Sequence, residues 1–470
     1  MRPLTILCLA VLPVAIGLGQ GSTRLIGMGG VSLAVPDPQS EFLFNPAKIA
    51  QIGGIMIQAN PNYMPYSMDY GRSSSYSSGP STSSSEQTNR TFSLKTLPVV
   101  ATVSLGFLHF GAMAGTISNS QTYSYTSTST STSYSSSSSS KGETSLSQQL
   151  LQAVAALDLG FLSVGISART SSATETSSSS YVSTSSGSSP NTSSSEYETT
   201  FGPKSYLAGA VLGSPSSIEV SASYELFSDK SEENTKSSIS NGVPATGPFS
   251  VYYSSTNNNR ATALARFNLG KILLGVRASR LGGTMDYSSK SSYTTPPNTE
   301  LKTSTQEQTA WDYGAGFSCT VENLGLFSFE YTITSATLNS KSFATYATLG
   351  SSGKKFNVGD VVNDGETKTT INSIRGGVEF ALSEGFKLRV GPEIMWSGSN
   401  YSTNDYLSSS RSEYTGQAYS RIAGYAGATI SLAVVRLDYA LATNPITIYN
   451  YYGPGGDVQF THYLSATIQL

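Results

Sequence analysis

From about Gly53 to the C-terminus the chain swings between two textures. One is a run of roughly 10–16 residues with an apolar side chain at every second position. The other is Ser/Thr/Tyr/Asn low complexity. Ile218, Val220, Ala222, Tyr224 and Leu226 alternate with Glu219, Ser221, Ser223 and Glu225. Phe327, Phe329, Tyr331 and Ile333 alternate with Ser328, Glu330, Thr332 and Thr334. Leu388, Val390, Ile394 and Trp396 share a side opposite Lys387, Arg389 and Glu393, and Leu437, Tyr439 and Leu441 one opposite Arg436 and Asp438. An apolar face backed by a charged face, repeated many times, predicts strands with one side in lipid. Short turns separate some pairs, as at Gly213-Ser214-Pro215-Ser216, Leu269-Gly270-Lys271, Asn323-Leu324-Gly325 and Ser383-Glu384-Gly385. Long Ser-rich stretches separate others: 69–88, 128–144, 177–197, 233–255, 288–304, 341–365 and 402–412. Short on one side and long on the other predicts periplasmic turns and extracellular loops. Sixteen strand windows can be drawn between Gly53 and Leu470. The last, Val458 to Leu470, sets Leu464, Ala466, Ile468 and Leu470 outward against Tyr463, Ser465, Thr467 and Gln469. The fold class is therefore all-β, a membrane-spanning antiparallel β-barrel. A soluble solenoid or sandwich with disordered inserts fits these strand lengths less well.

The start of the chain reads differently. Met1-Arg2-Pro3, an apolar run from Leu4 to Leu18 and the small residues Ala15, Gly17 and Gly19 predict a signal peptide over residues 1–20. Cys8 lies too early in that run for a lipoprotein signal. Residues 21–52 form a compact, non-repetitive segment. Gly27, Gly29 and Gly30 predict a tight turn. Asp37-Pro38 and Asn45-Pro46 each pair an N-cap with a first helical position. Two short helices are expected, Pro38–Phe44 and Pro46–Ile52, stopped by Gly53-Gly54. Leu43, Phe44, Ile49 and Ile52 need burial that two helical turns cannot supply, so the segment must dock. It is expected inside the lumen of the barrel formed by residues 53–470.

The turn, Asp37-Pro38 and Phe44-Asn45-Pro46-Ala47-Lys48-Ile49-Ala50 resemble the N-terminal region of FadL-type outer-membrane transporters. Matching positions are Gly27, Met28, Gly29, Gly30, Val31, Leu33, Ala34, Asp37, Ser40, Asn45, Pro46, Ala47 and Ala50. Val35 and Pro36 depart from the family's small-acidic run, and Lys48 stands where Gly is commoner, as in PorV-like relatives. Only this segment carries the resemblance. It implies a plug, or hatch, in the lumen and passive uptake of hydrophobic small molecules such as long-chain fatty acids or aromatic hydrocarbons. Barrels of that family have fourteen strands, so the count is bracketed at about 14–16.

Composition narrows the chemistry. Charged residues are 12% of the chain and the net charge is −2, which leaves nucleic acid no electrostatic footprint. Beyond the leader only Cys319 remains, so neither a disulfide framework nor a thiolate metal cluster is expected. No cofactor and no metal are expected. His462 and Ser465 are three apart, on opposite faces of one strand, so they cannot act as base and nucleophile; His109 has no obvious partner, and no enzyme is expected. The inward positions Glu219, Arg266, Arg277, Glu330, Arg375, Glu379, Lys387, Arg389, Glu393, Arg421, Arg436 and Asp438 must face a wet or paired interior. They form either a solute path or a paired network that braces the barrel and holds the hatch, and the near balance of signs favours the network. Pro98, Pro203 and Pro392 fall within predicted strands, where each marks a break that opens the wall sideways or, more often, a strand end. Tyr123, Tyr125, Tyr134, Tyr181 and Tyr293 in the Ser-rich stretches are candidates for binding sugars or other cells, against the commoner reading of a solvated fringe. The leading functional expectation is a hatch-gated outer-membrane channel, its partners membrane lipid and a hydrophobic ligand. The alternatives are a PorV-like docking component for secretion or surface attachment, and a structural or adhesive surface protein.

Overall fold

Strands with one apolar face and unsatisfied edges are stable in lipid only when the sheet closes. The computed structural model, which describes residues 22–76, 82–131, 134–187, 189–240, 243–244, 249–291, 300–322, 324–443, 446–447 and 460–470, has that form. The expected leader lies outside the described residues. Among them, sixteen antiparallel staves make one closed barrel. In chain order they are β1 (Ile55–Ala59 and Asn62–Tyr76), β2 (Thr82–Leu105), β3 (Leu108–Ser131), β4 (Tyr134–Asp158), β5 (Leu162–Ser185), β6 (Asn191–Phe201 and Lys204–Gly213), β7 (Ile218–Ser240) and β8 (Phe249–Asn268). Then come β9 (Ile272–Ser291), β10 (Glu300–Val321), β11 (Gly325–Phe343), β12 (Val361–Ser383), β13 (Phe386–Asp405), β14 (Ser410–Leu432), β15 (Val435–Thr443 with Ile446–Thr447) and β16 (Phe460–Gln469). Ile57 of β1 lies opposite Ala101 of β2 and Ile468 of β16, which closes the ring.

The alternation read from the sequence matches the faces. Ile218, Val220, Phe329, Leu388 and Leu437 are exposed on the outside, with Phe327 half-buried in the same row, while Glu330, Arg389 and Asp438 are buried inside. The outward apolar positions form a band beside the short turns. In β3 they run Leu108, Phe110, Ala112, Ala114 and then give way to Thr116. In β4 Leu151 is followed outward by Gln149. Such a band suits a tilted crossing of about 9–11 residues. Exposed Tyr206, Tyr224, Trp311 and Tyr331 mark its far edge as an aromatic girdle.

The Ser-rich stretches correct the loop expectation. Most continue the strands: Thr130 pairs with Ser135, Ser137 with Thr184, and Ser183 with Asn191. Uniformly polar runs carry no alternation to read, but in a closed barrel each extension is templated by its paired neighbours. The stretch 402–412 is strand interrupted only by a turn, with Ser409 at φ 56°. The stretch 341–365 holds a small two-stranded hairpin, Thr348–Leu349 with Lys355–Phe356.

The prolines are not all strand ends. Pro203 splits β6. Pro98 lies inside β2 opposite Gly115, where β1 is interrupted between Ala59 and Asn62. Pro392 lies inside β13, where pairing with β12 lapses between Arg375–Glu393 and Val378–Val390. Each ladder gap falls where proline has no N–H to give.

Candidate functional site: a segment seated in the barrel

Residues 22–52 precede β1 and fold back through the end of the barrel that carries the short turns and Leu470. Ser22 caps a first helix, α1 (Thr23–Gly27), its hydroxyl accepting from the Leu25 amide. Sequence reading missed this helix, because the Gly-rich turn that follows it masked the signal. Gly29 and Gly30, both at φ +77°, make the expected turn. The next helix, α2, is shorter than predicted, Pro38–Glu41, and Asp37 at its cap accepts from the Ser40 hydroxyl at 2.6 Å and from no backbone amide through its side chain. Pro46–Gln51 is a 3-10 helix, capped as expected by Asn45, whose Oδ1 accepts from the Ala47 amide at 3.2 Å. Asn45 Nδ2 also donates to the Ala210 and Ala222 carbonyls of the wall. Asn45→Ala is expected to cost about 0.5–2 kcal/mol locally, read as faster amide exchange over residues 45–51.

Burial follows three apolar patches. Phe42, Ile49 and Ile52 pack with Met56, Met113 and Leu150 of the wall. Leu25, Met28, Val31 and Val35 form the second, and Ile26 packs on Ala440, Ala442 and Tyr463 in the third. Phe42, not Phe44, is the fully buried aromatic; Phe44 is half-buried because α2 ends at Glu41 and the chain turns sooner than predicted. The wall meets the segment with glycines. A Cβ at Gly275 would overlap the Leu33 carbonyl, one at Gly377 the Met28 carbonyl, one at Gly165 the Pro46–Ala47 peptide, and one at Gly209 the Asn45 side chain. Backbone thus approaches wall at a spacing that only glycine permits.

The inward charges converge on the same segment. Arg266 is the busiest: its guanidinium donates to the Leu33 carbonyl at 2.8 Å, the Ser32 carbonyl at 2.9 Å, both Glu41 oxygens at 2.6 and 3.0 Å, and Glu219 at 3.2 Å. Lys48 is ion-paired with Glu219 and with Glu41 at 3.2 Å. Glu330 accepts the Ser32 and Leu33 amides at 2.8 and 2.9 Å. Arg375 bridges Glu330 and Glu393, and Tyr425 donates to Glu393 at 2.7 Å. Arg24 reaches Glu379, which also pairs with Arg389 and Lys387. Asp438 joins Arg389 to Arg436, which donates to Gln39. Arg277 pairs instead with Asp312 on the wall, and Arg421 lies on the inward face of β14 opposite Met395. Glu41, Lys48, Arg24 and Gln39 were not singled out as charge partners by sequence, although charges in a short apolar segment were the available signal. Gln152 and Arg169, which both donate to the Leu43 carbonyl, were also missed.

Burial pushes the Glu41 carboxyl up, but the Arg266 and Lys48 cations overcome it and hold it down at about 2. A depressed carboxylate stabilises the docked state fully above its unfolded value near 4.5 and loses that contribution as pH falls through about 2. Residues 22–52 are therefore expected to stay protected from amide exchange at pH 4 and to lose protection towards pH 2.

His109 does have a partner: its Nδ1 lies 2.9 Å from the Ser104 hydroxyl, which donates to the Ile52 carbonyl. His462 bonds Tyr439 and Ser465 bonds Gln58, on opposite sides of the wall. One cavity of about 680 Å³ lies in the outer wall across β2–β6. Outward Val99, Ala101, Ala112, Ala153, Ala168 and Tyr206 line it together with Met113, Gln152 and Arg169, which hold the segment from within. Its edges at Val99 and Lys204 adjoin Pro98 and Pro203.

A closed, apolar-sided barrel occupied by its own N-terminal segment is a transmembrane β-barrel of the plugged class. No family model and no curated protein matches the sequence. Among solved structures the chain is similar to a Pseudomonas aeruginosa FadL homologue (13% identity, 95% of this chain and 98% of that one, TM-score 0.42). It is likewise similar to the Ralstonia pickettii toluene transporter TbuX (11%, 97% and 100%, TM-score 0.40) and to the CymD monoaromatic hydrocarbon channel (12%, 96% and 98%, TM-score 0.39).

Proposed function

We propose that this chain is an outer-membrane channel through which hydrophobic small molecules, such as long-chain fatty acids or aromatic hydrocarbons, diffuse, and that residues 22–52 are its hatch. The short turns face the periplasm and the Ser-rich extensions face outward. The observation that carries the reading is the wall cavity. It is apolar, it opens on the lipid side between two proline breaks, and its lining includes Gln152 and Arg169, the residues whose inward side chains hold the hatch at Leu43. A hydrophobic molecule there lies between lipid and the strands that hold the hatch. The Gly27–Ala50 resemblance supports the same reading. A second reading, a sealed docking component, draws support from the paired charges that close the lumen around Arg266 and Glu379.

Proteoliposomes separate the two. Deleting residues 22–52 is expected to leave a heat-modifiable barrel that leaks small polar dyes, because strand pairing does not pass through the hatch. Filling the cavity with Ala153→Phe is expected to slow uptake of a labelled fatty acid or of toluene without admitting the dye. Unchanged uptake in both variants would move the assignment to docking.

A further inference from the structure

We propose that the outer face of β3–β6 beyond the apolar band is a binding surface for a neutral surface polysaccharide. The part of β3 from Thr116 to Ser131 stands past the band, which at ~3.4 Å per residue and a tilt of 35–45° is about 40 Å of wall outside the bilayer. It is paired along its whole length with β4, and β4 with β5, so the extension is a sheet. Its outward side chains fall in rows across the staves. Thr128, Ser137 and Thr184 make one row, and Ser118, Ser147 and Thr174 another. The cross-strand hydroxyls bond sideways, Ser137 to Thr184 at 2.6 Å and Ser145 to Thr176 at 2.7 Å. Each hydroxyl has one donor and two acceptor sites, so a sideways bond leaves capacity facing out.

The chemistry of this face selects its partner. Protein interfaces need aromatic or large apolar anchors, and the only sizeable apolar side chain in these rows is Val182. Anionic polymers need clustered cations, and Lys141 sits among Glu143, Glu196 and Glu198. The tyrosines do not supply the surface either. Tyr123, Tyr125 and Tyr181 are on the inward face, where Gly142 lies against the Tyr123 ring, and the Tyr134 side chain and Tyr293 lie outside the described residues. What remains is a flat array of hydroxyls spaced about 4.8 Å between staves and about 7 Å along each strand. A polyhydroxylic chain can answer such an array row by row. Exchanging one water for one sugar hydroxyl gains little, so a monosaccharide is not held, whereas a polymer that engages successive rows gains by multivalency.

The test uses the full barrel in lipid nanodiscs over immobilised lipopolysaccharide with and without its O-polysaccharide. Retention on the O-polysaccharide form alone is expected, unaffected by high salt and not competed by free monosaccharides. The variant Thr126→Val/Thr128→Val/Thr174→Val/Thr184→Val keeps strand propensity and shape but removes hydroxyls, and should lose at least tenfold in affinity while its heat-modifiable mobility is unchanged. Equal retention on both lipopolysaccharides, retention on neither, or a Val variant that binds like the unmodified barrel would each overturn the proposal. Hydrophobic uptake by the Val variant should stay as in the unmodified barrel, so the outcome is read independently of the channel assignment.

Discussion

Replacing Arg266 with alanine is expected to release the N-terminal segment from the barrel. The guanidinium is 1% exposed and holds two carbonyls of the segment and the carboxylates Glu41 and Glu219 together. Its loss leaves buried Glu219 and partly buried Glu41 with Lys48 as their shared cation. Removing one partner from a buried ion cluster costs about 3–5 kcal/mol, because the remaining charges stay desolvated and short of counter-charge. The strands themselves do not depend on it. The expected result is amide exchange over residues 22–52 at least tenfold faster, and a dye leak approaching that of the deletion. Arg266→Lys keeps the charge but cannot fork to both Glu41 oxygens and the two carbonyls, so it should fall between. An Ala variant with unchanged exchange would show that the other contacts seat the segment without Arg266.

Arginine at Phe329 and arginine at Glu330 should differ sharply although the sites are neighbours. Phe329 points to the lipid side, 41% exposed, and stacks on Phe317 with ring centroids 6.0 Å apart. A cation there meets hydrocarbon, at a cost of about 2–4 kcal/mol near the midplane. Glu330→Arg leaves the lipid face untouched but sets a cation beside Arg375 and takes away the acceptor of the Ser32 and Leu33 amides. Its damage should fall on docking of the segment, with the barrel's unfolding midpoint little changed. Urea unfolding in lipid vesicles reads the first and amide exchange the second. Equal loss of barrel stability at both positions would reject the register.

Much of this was legible because the relevant signals are local. Period-two alternation at Ile218–Leu226 and Phe327–Ile333 fixes which residues face lipid, since a strand gives its neighbours no other choice. Asn45-Pro46 announces a helix start from its own chemistry. Hairpin turns at Gly213–Ser216 and Leu269–Lys271 are set by short glycine-containing spacers. The strand count needed the whole ring: sixteen windows could be drawn, but only closure of β1 on β16 decides that all are staves.

The rest was not local. A Ser/Thr run such as Thr126–Ser131 has the same residue class on both faces, so no period distinguishes strand from loop; pairing to β2 and β4 supplies the answer. Gly275 and Gly377 read as ordinary strand glycines until the Leu33 and Met28 carbonyls are seen against them. Glu41 and Lys48 look like the solvated charges of short helices, yet they meet Arg266 and Glu219 from strands far along the chain. By itself the sequence determined the class of fold, the inward and outward faces, and the need for the segment ahead of the barrel to dock. The tertiary structure alone decided which inward charge grips which part of that segment, because ion pairs and backbone contacts between distant residues follow from barrel closure, and closure has no signature at any one position.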